Sequence, residues 1–336
     1  SWAAAGMLAP VTEVHYGEEG LLRLNLDSAR RWPGFAHELA EAAGRDVGYR
    51  TTGTLAVARD NDDKAALDEL YDFQRKLGLE VQRLRGRDCR QLEPGLARRV
   101  RGGILVEGDH QVDNRLLVEA LGAACASAGV ERRRARVEEI EISGGAVESA
   151  TLSGGERIAC GRIVIAAGCW SGQIKGVPGE LVAVRPVKGQ LLHLRGPRET
   201  PLATRTIRGL DVYVVPRDDG RVVVGATVEE RGFDATVTAG AAYELLRDAY
   251  ELLPGVTELE LVEAVAGLRP GTPDNAPLLG ESGIEGLVLA TGHYRNGILL
   301  TPLTADAIGD LLVEGRAPEA IEPFSPRRFA SAGVGG

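Results

Sequence analysis

The stretch Gly161–Gly172, GRIVIAAGCWSG, decides how this chain folds. Ile163 to Ala167 is an unbroken apolar run, as a parallel strand covered on both faces requires. Side-chain bulk vanishes at Gly168, and ligands of doubly wound sheets sit beyond the carboxyl ends of such strands. Working outward, TGTLAVAR (52–59) reads as another strand, and Asp62 to Leu77 as an amphipathic helix stopped by Gly78. Asp113 caps a helix expected to run to Gly129, followed by a strand pair, ARVEEIEI and VESATLSG, across the Gly144–Gly145 turn. Downstream, GQLLHLR (189–195), DVYVVPR (211–217) and GRVVVGAT (220–227) alternate apolar and polar residues, as an antiparallel sheet with one wetter face does. A helix over Ala241 to Leu253 ends at Pro254. Residues 285–315 read as buried strand, glycine-rich turn and a second helix ending at Gly315. That helix is expected to begin near Asn296 and to aim its positive end at an anionic group. Taken alone, Gly292 and Gly297 fit a tight connection equally well. Strands and helices alternate throughout, so the class is α/β, or α+β overall.

Composition excludes several kinds of function. Of 336 residues, 44% are hydrophobic and 26% charged, with a net charge of −9. Such a chain can bury a sizeable core, and its acidity argues against nucleic acid or an anionic membrane as partner. No apolar run approaches the length of a membrane span. Cys89, Cys125, Cys160 and Cys169 lack the spacing of metal ligands or of a disulfide framework, which makes a reducing cytoplasm the expected compartment. Lys64, Lys76, Lys175 and Lys188 are the only lysines. Where arginine is so abundant, a single arginine carries weight only through its neighbours.

Five stretches then act together. SWAAAGMLAP (1–10), IVIAAGCWSG (163–172), VYVVPRDDGRVVVGAT (212–227), GLRPGTPDNAPLLG (267–280) and GHYRNGILLTP (292–302) occur in the order and spacing of the D-amino-acid-oxidase-like flavoenzymes. The chain resembles that family from Ser1 to about Leu312, and within it is most similar to the glycine oxidases of bacterial thiamine biosynthesis. The resemblance implies an FAD-binding doubly wound sheet domain (1–50, 107–178 and 268–336) interleaved with an antiparallel-sheet substrate domain (51–106 and 179–267). In that family a strand, G-x-G-x-x-G turn and helix precede the stretch matching Ser1–Pro10, and no such motif lies within these residues. Roughly forty family residues are therefore expected ahead of Ser1, and residues 1–336 by themselves are expected to hold FAD weakly or not at all. A yellow product of these residues with stoichiometric FAD overturns that expectation.

An amino acid held against a flavin needs a grip on its carboxylate, and a planar guanidinium supplies a bidentate one. Arg269 matches the family position that pairs the substrate carboxylate, with Pro270 and Gly271 expected to turn the chain after a strand. Read alone, it is more readily a solvated surface arginine in an arginine-rich chain. Arg295 matches the second family arginine, at the substrate end of the flavin, against the alternative of a surface residue at a helix start. Tyr213 matches a tyrosine whose hydroxyl contacts the carboxylate, against a packed strand tyrosine with its hydroxyl in water. Asp211 departs from the histidine of related enzymes and receives no catalytic role.

The resemblance also implies the cofactor contacts. Ser1, Ala5, Gly6 and Met7 match the loop touching the flavin and its ribityl chain, and Val137 a residue whose backbone meets the adenine. Gly168 closes the strand at the cofactor, and His293, Tyr294, Asn296, Gly297, Ile298 and Leu299 match the turn passing the flavin pyrimidine. His293 has no evident partner and is not assigned as a base.

The implied chemistry is hydride transfer to flavin N5 from the Cα of glycine, or of a small N-methyl or D-amino acid. It yields an imine, then glyoxylate and ammonia, while O₂ becomes hydrogen peroxide. No cysteine lies between Ala264 and Leu279, where relatives with covalent flavin carry one, so the FAD is expected to be non-covalent. No metal is implied. Thiazole synthase downstream and a homotetramer are further implications. A D-amino-acid dehydrogenase passing electrons to a quinone, and a non-catalytic remnant lacking cofactor, stand as alternatives.

Overall fold

The computed structural model describes residues 1–329, so residues 330–336 of the expected third flavin segment lie outside the described residues. Two sheets carry most of the architecture. The larger has eight strands in the spatial order Glu260–Gly271, Arg185–Arg195, Arg221–Gly225, Tyr213–Pro216, Thr206–Arg208, Thr54–Ala58, Gly102–Val106 and Gln82–Arg85. Every neighbouring pair is antiparallel except Thr206–Arg208 with Thr54–Ala58. Successive side chains of a strand point to opposite faces, so this sheet has two characters. One face presents Leu55, Leu105, Leu192, Leu194, Ile207, Val214, Val222 and Val224, packed with Leu245, Ala249 and Leu252 of the helix Ala239–Leu252. The opposite face presents Arg208, Tyr213, Gly225, Leu191, Gly189, Gly267 and Arg269, which the strand registers bring side by side.

The smaller sheet has three strands in the order Leu278–Glu281, Leu287–Thr291 and Ile163–Ile165. Leu287–Thr291 is covered on both faces. Val288 meets the helices Glu19–Ala43 and Thr301–Glu314, while Leu287 and Leu289 pack toward Ile140 and Val147 of the strand pair Val137–Ser143 and Ala146–Leu152. Ile163–Ile165 differs from its sequence expectation. Only three residues form the strand, and Val164 is 36% exposed. Among the described residues its strand partner is the parallel Leu287–Thr291, which leaves one side of it unpaired there.

The expected helices form over Asn61–Lys76, capped by the Asp60 carboxylate, and over Asn114–Ser127, capped by Asp113. The final helix starts at Thr301, not Asn296, with Pro302 in its first turn, where a missing N–H costs nothing. The residues between make a single helical turn, Leu300 N–H donating to Asn296 C=O at 2.8 Å. Arg269 and Pro270 also differ from expectation. They continue the strand Glu260–Gly271 rather than turning out of it, with Arg269 opposite Val187. That strand forms an outer edge of the large sheet, where proline is tolerated. The strand thus runs across the expected domain boundary at 267/268.

Ser1–Val14 runs between the two sheets. Met7–Leu8 pairs with His110–Gln111, and Val112 N–H donates to Gly6 C=O at 2.8 Å. Gly6 has φ +71°, and a Cβ there would stand 2.0 Å from the Val112 carbonyl oxygen, so only glycine permits this approach. No helix of the described residues is long and apolar enough to cross a membrane.

Candidate active site

The second face of the large sheet forms one wall of a cleft of about 1120 Å³. The opposing wall is the N-terminal segment, the end of the Ile163–Ile165 strand and the turn after Leu287–Thr291. Ser1, Ala5, Gly6 and Met7 line it, as do Gly168, His293, Tyr294, Gly297 and Ile298. Tyr213, Arg269 and Arg295 face the same space. Five motifs spread over some three hundred residues therefore converge on a single cavity. Three expected cofactor contacts do not reach it. Val137 begins a strand of the separate sheet of Val137–Ser143, Ala146–Leu152 and Arg157–Ala159. Leu299 is buried, and its carbonyl accepts hydrogen bonds from Ser28 Oγ and Trp32 Nε1 on the helix Glu19–Ala43. Asn296 is also buried, its backbone spent in the turn toward Thr301.

Three arginines line the cleft, and their partners separate them. Arg295 Nη2 lies 3.4 Å from the Glu18 carboxylate, with its guanidinium over the Tyr294 ring. Arg208, which the sequence reading did not single out, is bonded to the carboxylate of Glu13. Burial opposes charge on Glu13, yet Arg208, assisted by Arg295 and His15, holds its carboxyl below the usual range. Burial and then Arg295 hold His15 below its usual value. Arg269 alone of the three has no carboxylate partner among the described residues. Its Nη1 donates to the carbonyls of Thr227 at 3.1 Å and Lys188 at 3.3 Å, which fixes the fork without neutralising it. A half-buried guanidinium without a counter-ion is an unmet electrostatic demand, of the kind a carboxylate can satisfy.

Tyr213 shares that face. Burial pushes its phenol up to about 12, against the pull of the nearby Arg269, so at neutral pH the hydroxyl keeps its proton. Two glycines make room for these side chains. A Cβ on Gly189 would sit 2.3 Å from Arg269 Nη1, and one on Gly225 would sit 2.6 Å from the Tyr213 hydroxyl. Asp211 lines the cleft at its rim, 64% exposed and bonded to Arg59. His293 Nε2 pairs with Thr304 Oγ1 at 3.0 Å, and burial lowers its pKa to about 4, which keeps it neutral.

Arg208 was legible only through register: it stands opposite Tyr213 across an antiparallel pair, so the two share a face. Lys188 was invisible for another reason. It is 1% exposed, and its ammonium lies behind the wall rather than in the cleft.

The model for the family described as DAO, FAD dependent oxidoreductase, matches residues 1–311. The chain belongs to this family of FAD-dependent oxidoreductases. Within it, the chain is similar to the glycine oxidase of Geobacillus kaustophilus, 36% identical over 99% of this chain and 89% of that protein. The crystal structure of a glycine oxidase from the same organism superposes with a TM-score of 0.90 at 35% identity, covering 98% of this chain and 88% of that one. The bifunctional protein ThiO/ThiG of Trichormus variabilis is 34% identical over 97% of this chain and 49% of its own length. The chain thus spans about half of that bifunctional relative and nearly nine-tenths of the glycine oxidase.

The residues present fit the ring end of a flavin. The cleft is larger than a small amino acid needs, and its second wall is apolar and closely packed where Gly6 meets Val112. A glycine-rich turn for the pyrophosphate is not found among the described residues.

Proposed function

We propose that this protein oxidises glycine, or another small amino acid with a free carboxylate, to the imine, which water converts to the oxo acid and ammonia. Bound FAD, held along 3–7, 166–170 and 293–298, supplies the two-electron acceptor, and O₂ leaves as hydrogen peroxide. The observation that carries this reading is the unpaired Arg269 guanidinium beside the protonated Tyr213 hydroxyl, at the end of a cleft with room for a ring system.

The chain's own residues bind and orient. Arg269 and Tyr213 grip the carboxylate, which leaves the amine and Cα directed across the cleft toward the 3–7 loop. Such placement converts an encounter into a fixed geometry. The neutral His293, bonded to Thr304, does not compete for the amine proton. Ala3, Ala5 and Met7 pack with Leu191, Val215 and Val223 of the sheet and exclude water. The cysteine lining the cleft, Cys169, is buried and its thiol is pushed up, so it favours the inert thiol and supports a non-covalent cofactor. The existence of bifunctional ThiO/ThiG relatives supports delivery of the product to thiazole synthesis.

The test is oxygen uptake with glycine by the full-length, FAD-loaded protein. Arg269→Ala should raise KM for glycine by a factor of about 10–100, the worth of a lost charged hydrogen-bond pair. An unchanged KM removes the anchor and the mechanism with it. Flavin reduction by glycine without oxygen uptake, relieved by a quinone, would instead make the protein a dehydrogenase.

A further inference from the structure

The segment 226–238 leaves the strand Arg221–Gly225, passes the cleft, and rejoins the fold at the helix Ala239–Leu252. It has little apolar cover: residues 231–238 are all exposed, Phe233 and Val237 among them. Besides a Phe233–Trp170 ring contact, centroids 6.5 Å apart, and an exposed Arg185–Glu230 pair, what fixes it is polar and comes from Lys188 and Gln190, two positions apart on one strand. Lys188 and Glu229 exchange backbone hydrogen bonds of 2.9 and 3.0 Å. The Lys188 side chain, 1% exposed, places Nζ 3.2 Å from Asp234 Oδ2 and 3.8 Å from Glu229 Oε2. Gln190 Nε2 donates to Glu229 Oε1 at 2.7 Å, and Gln190 Oε1 accepts from Thr238 N–H at 2.8 Å. Thr227 Oγ1 donates to the same Glu229 oxygen at 2.6 Å.

These contacts end at the substrate grip. Arg269 Nη1 is held by the carbonyls of Thr227 and of Lys188 itself. Side chains alternate along the strand, so Lys188 sends its ammonium behind the wall while its carbonyl helps to aim the guanidinium in front. A buried ammonium is costly unless paired, and a lysine in a chain that uses four of them marks a place where a compact cation is wanted.

We propose that Lys188 is a positioning residue: through Glu229 and Asp234 it fixes the 226–238 segment, and thereby the Thr227 carbonyl that orients Arg269 toward a ligand carboxylate. This rests on the reading of Arg269 as the carboxylate anchor.

The experiment measures the Kd of the FAD-loaded full-length protein for glycolate, a carboxylate without an amine to oxidise, from the flavin absorbance change, together with KM and kcat for glycine. Lys188→Met should weaken glycolate about 5–20-fold and raise KM more than it lowers kcat. Asp234→Asn removes the negative charge from the same contact at a half-exposed position, and should weaken glycolate about 2–5-fold. If Asp234→Asn and any folded Lys188→Met both keep glycolate within twofold of the parent, the inference is wrong, even if Tm falls. Should Lys188→Met fail to fold, Asp234→Asn decides alone. Arg269→Ala separates the two ideas: if it leaves glycolate binding unchanged, the anchor reading has failed. If it abolishes binding while neither Asp234→Asn nor any folded Lys188→Met changes it, the anchor stands and the role of Lys188 falls.

Discussion

The two faces of the eight-stranded sheet are built from the same strands and do opposite work. Toward the helix Ala239–Leu252, valine, leucine and isoleucine interdigitate and leave nothing for a ligand to hold. Toward the cleft, alternate positions of those strands carry Arg208, Tyr213 and Arg269, with glycines at 189, 225 and 267. A glycine there contributes no packing and weakens the strand, by about 0.5–1 kcal/mol relative to alanine in general. The rigidity of the first face is what allows the second to be sparse. One side stores stability, and the other side is free to place Arg269 and Tyr213 on the proposed carboxylate site.

That division can be broken deliberately. The largest effect belongs to the packed face: Leu252→Ala removes a fully buried side chain and should cost about 2–5 kcal/mol of stability, read as a lower denaturant midpoint with KM for glycine little changed. A KM shift of tenfold would mean the faces are not independent. Next comes Arg269→Lys on the cleft face, which keeps the charge but loses the fork. It should raise KM for glycine by about 10–50-fold, roughly 1.5–2.5 kcal/mol, with Tm close to the parent. Tyr213→Phe is smaller, since it removes one neutral donor. About 1 kcal/mol, or some fivefold in KM, is expected with the carboxylate still held by Arg269. If Tyr213→Phe costs more than Arg269→Lys, the roles assigned to the pair are reversed.

The same contrast explains what was legible in the sequence. Period-2 alternation in 189–195, 211–217 and 220–227 marks an antiparallel sheet, because alternation is a local property of each strand. Arg269, Tyr213, Arg295 and His293 reach one cleft because each sits in a motif that keeps its spacing. Arg208 and Glu13 escaped, since their pairing joins residues 195 positions apart and depends on strand register. The early start assigned to the last helix ignored Pro302, a first-turn signal that was present. Leu299 was assigned to the cofactor by position in its motif, yet the turn rotates it toward Ser28 and Trp32, which no short-range pattern records.

The smallest effect concerns pH, and it tests whether the cleft side bears its own electrostatic cost. Burial lowers His293 from the usual 6.5 to about 4. A base whose folded pKa is depressed contributes stability that is complete above its unfolded pKa and is lost as pH falls toward the folded one. Between pH 4 and 6.5 the unfolded chain binds a proton that the folded chain refuses, so stability should decline with acidification across that window. From pH 7 to 6 the loss from this one residue is less than about 1 kcal/mol. His293→Gln, which can still bond Thr304 but cannot titrate, should flatten that part of the stability–pH curve relative to the parent. Parallel curves for the two proteins from pH 7 to 5 would show that the ring is solvated from the cleft and that its burial exerts no such penalty.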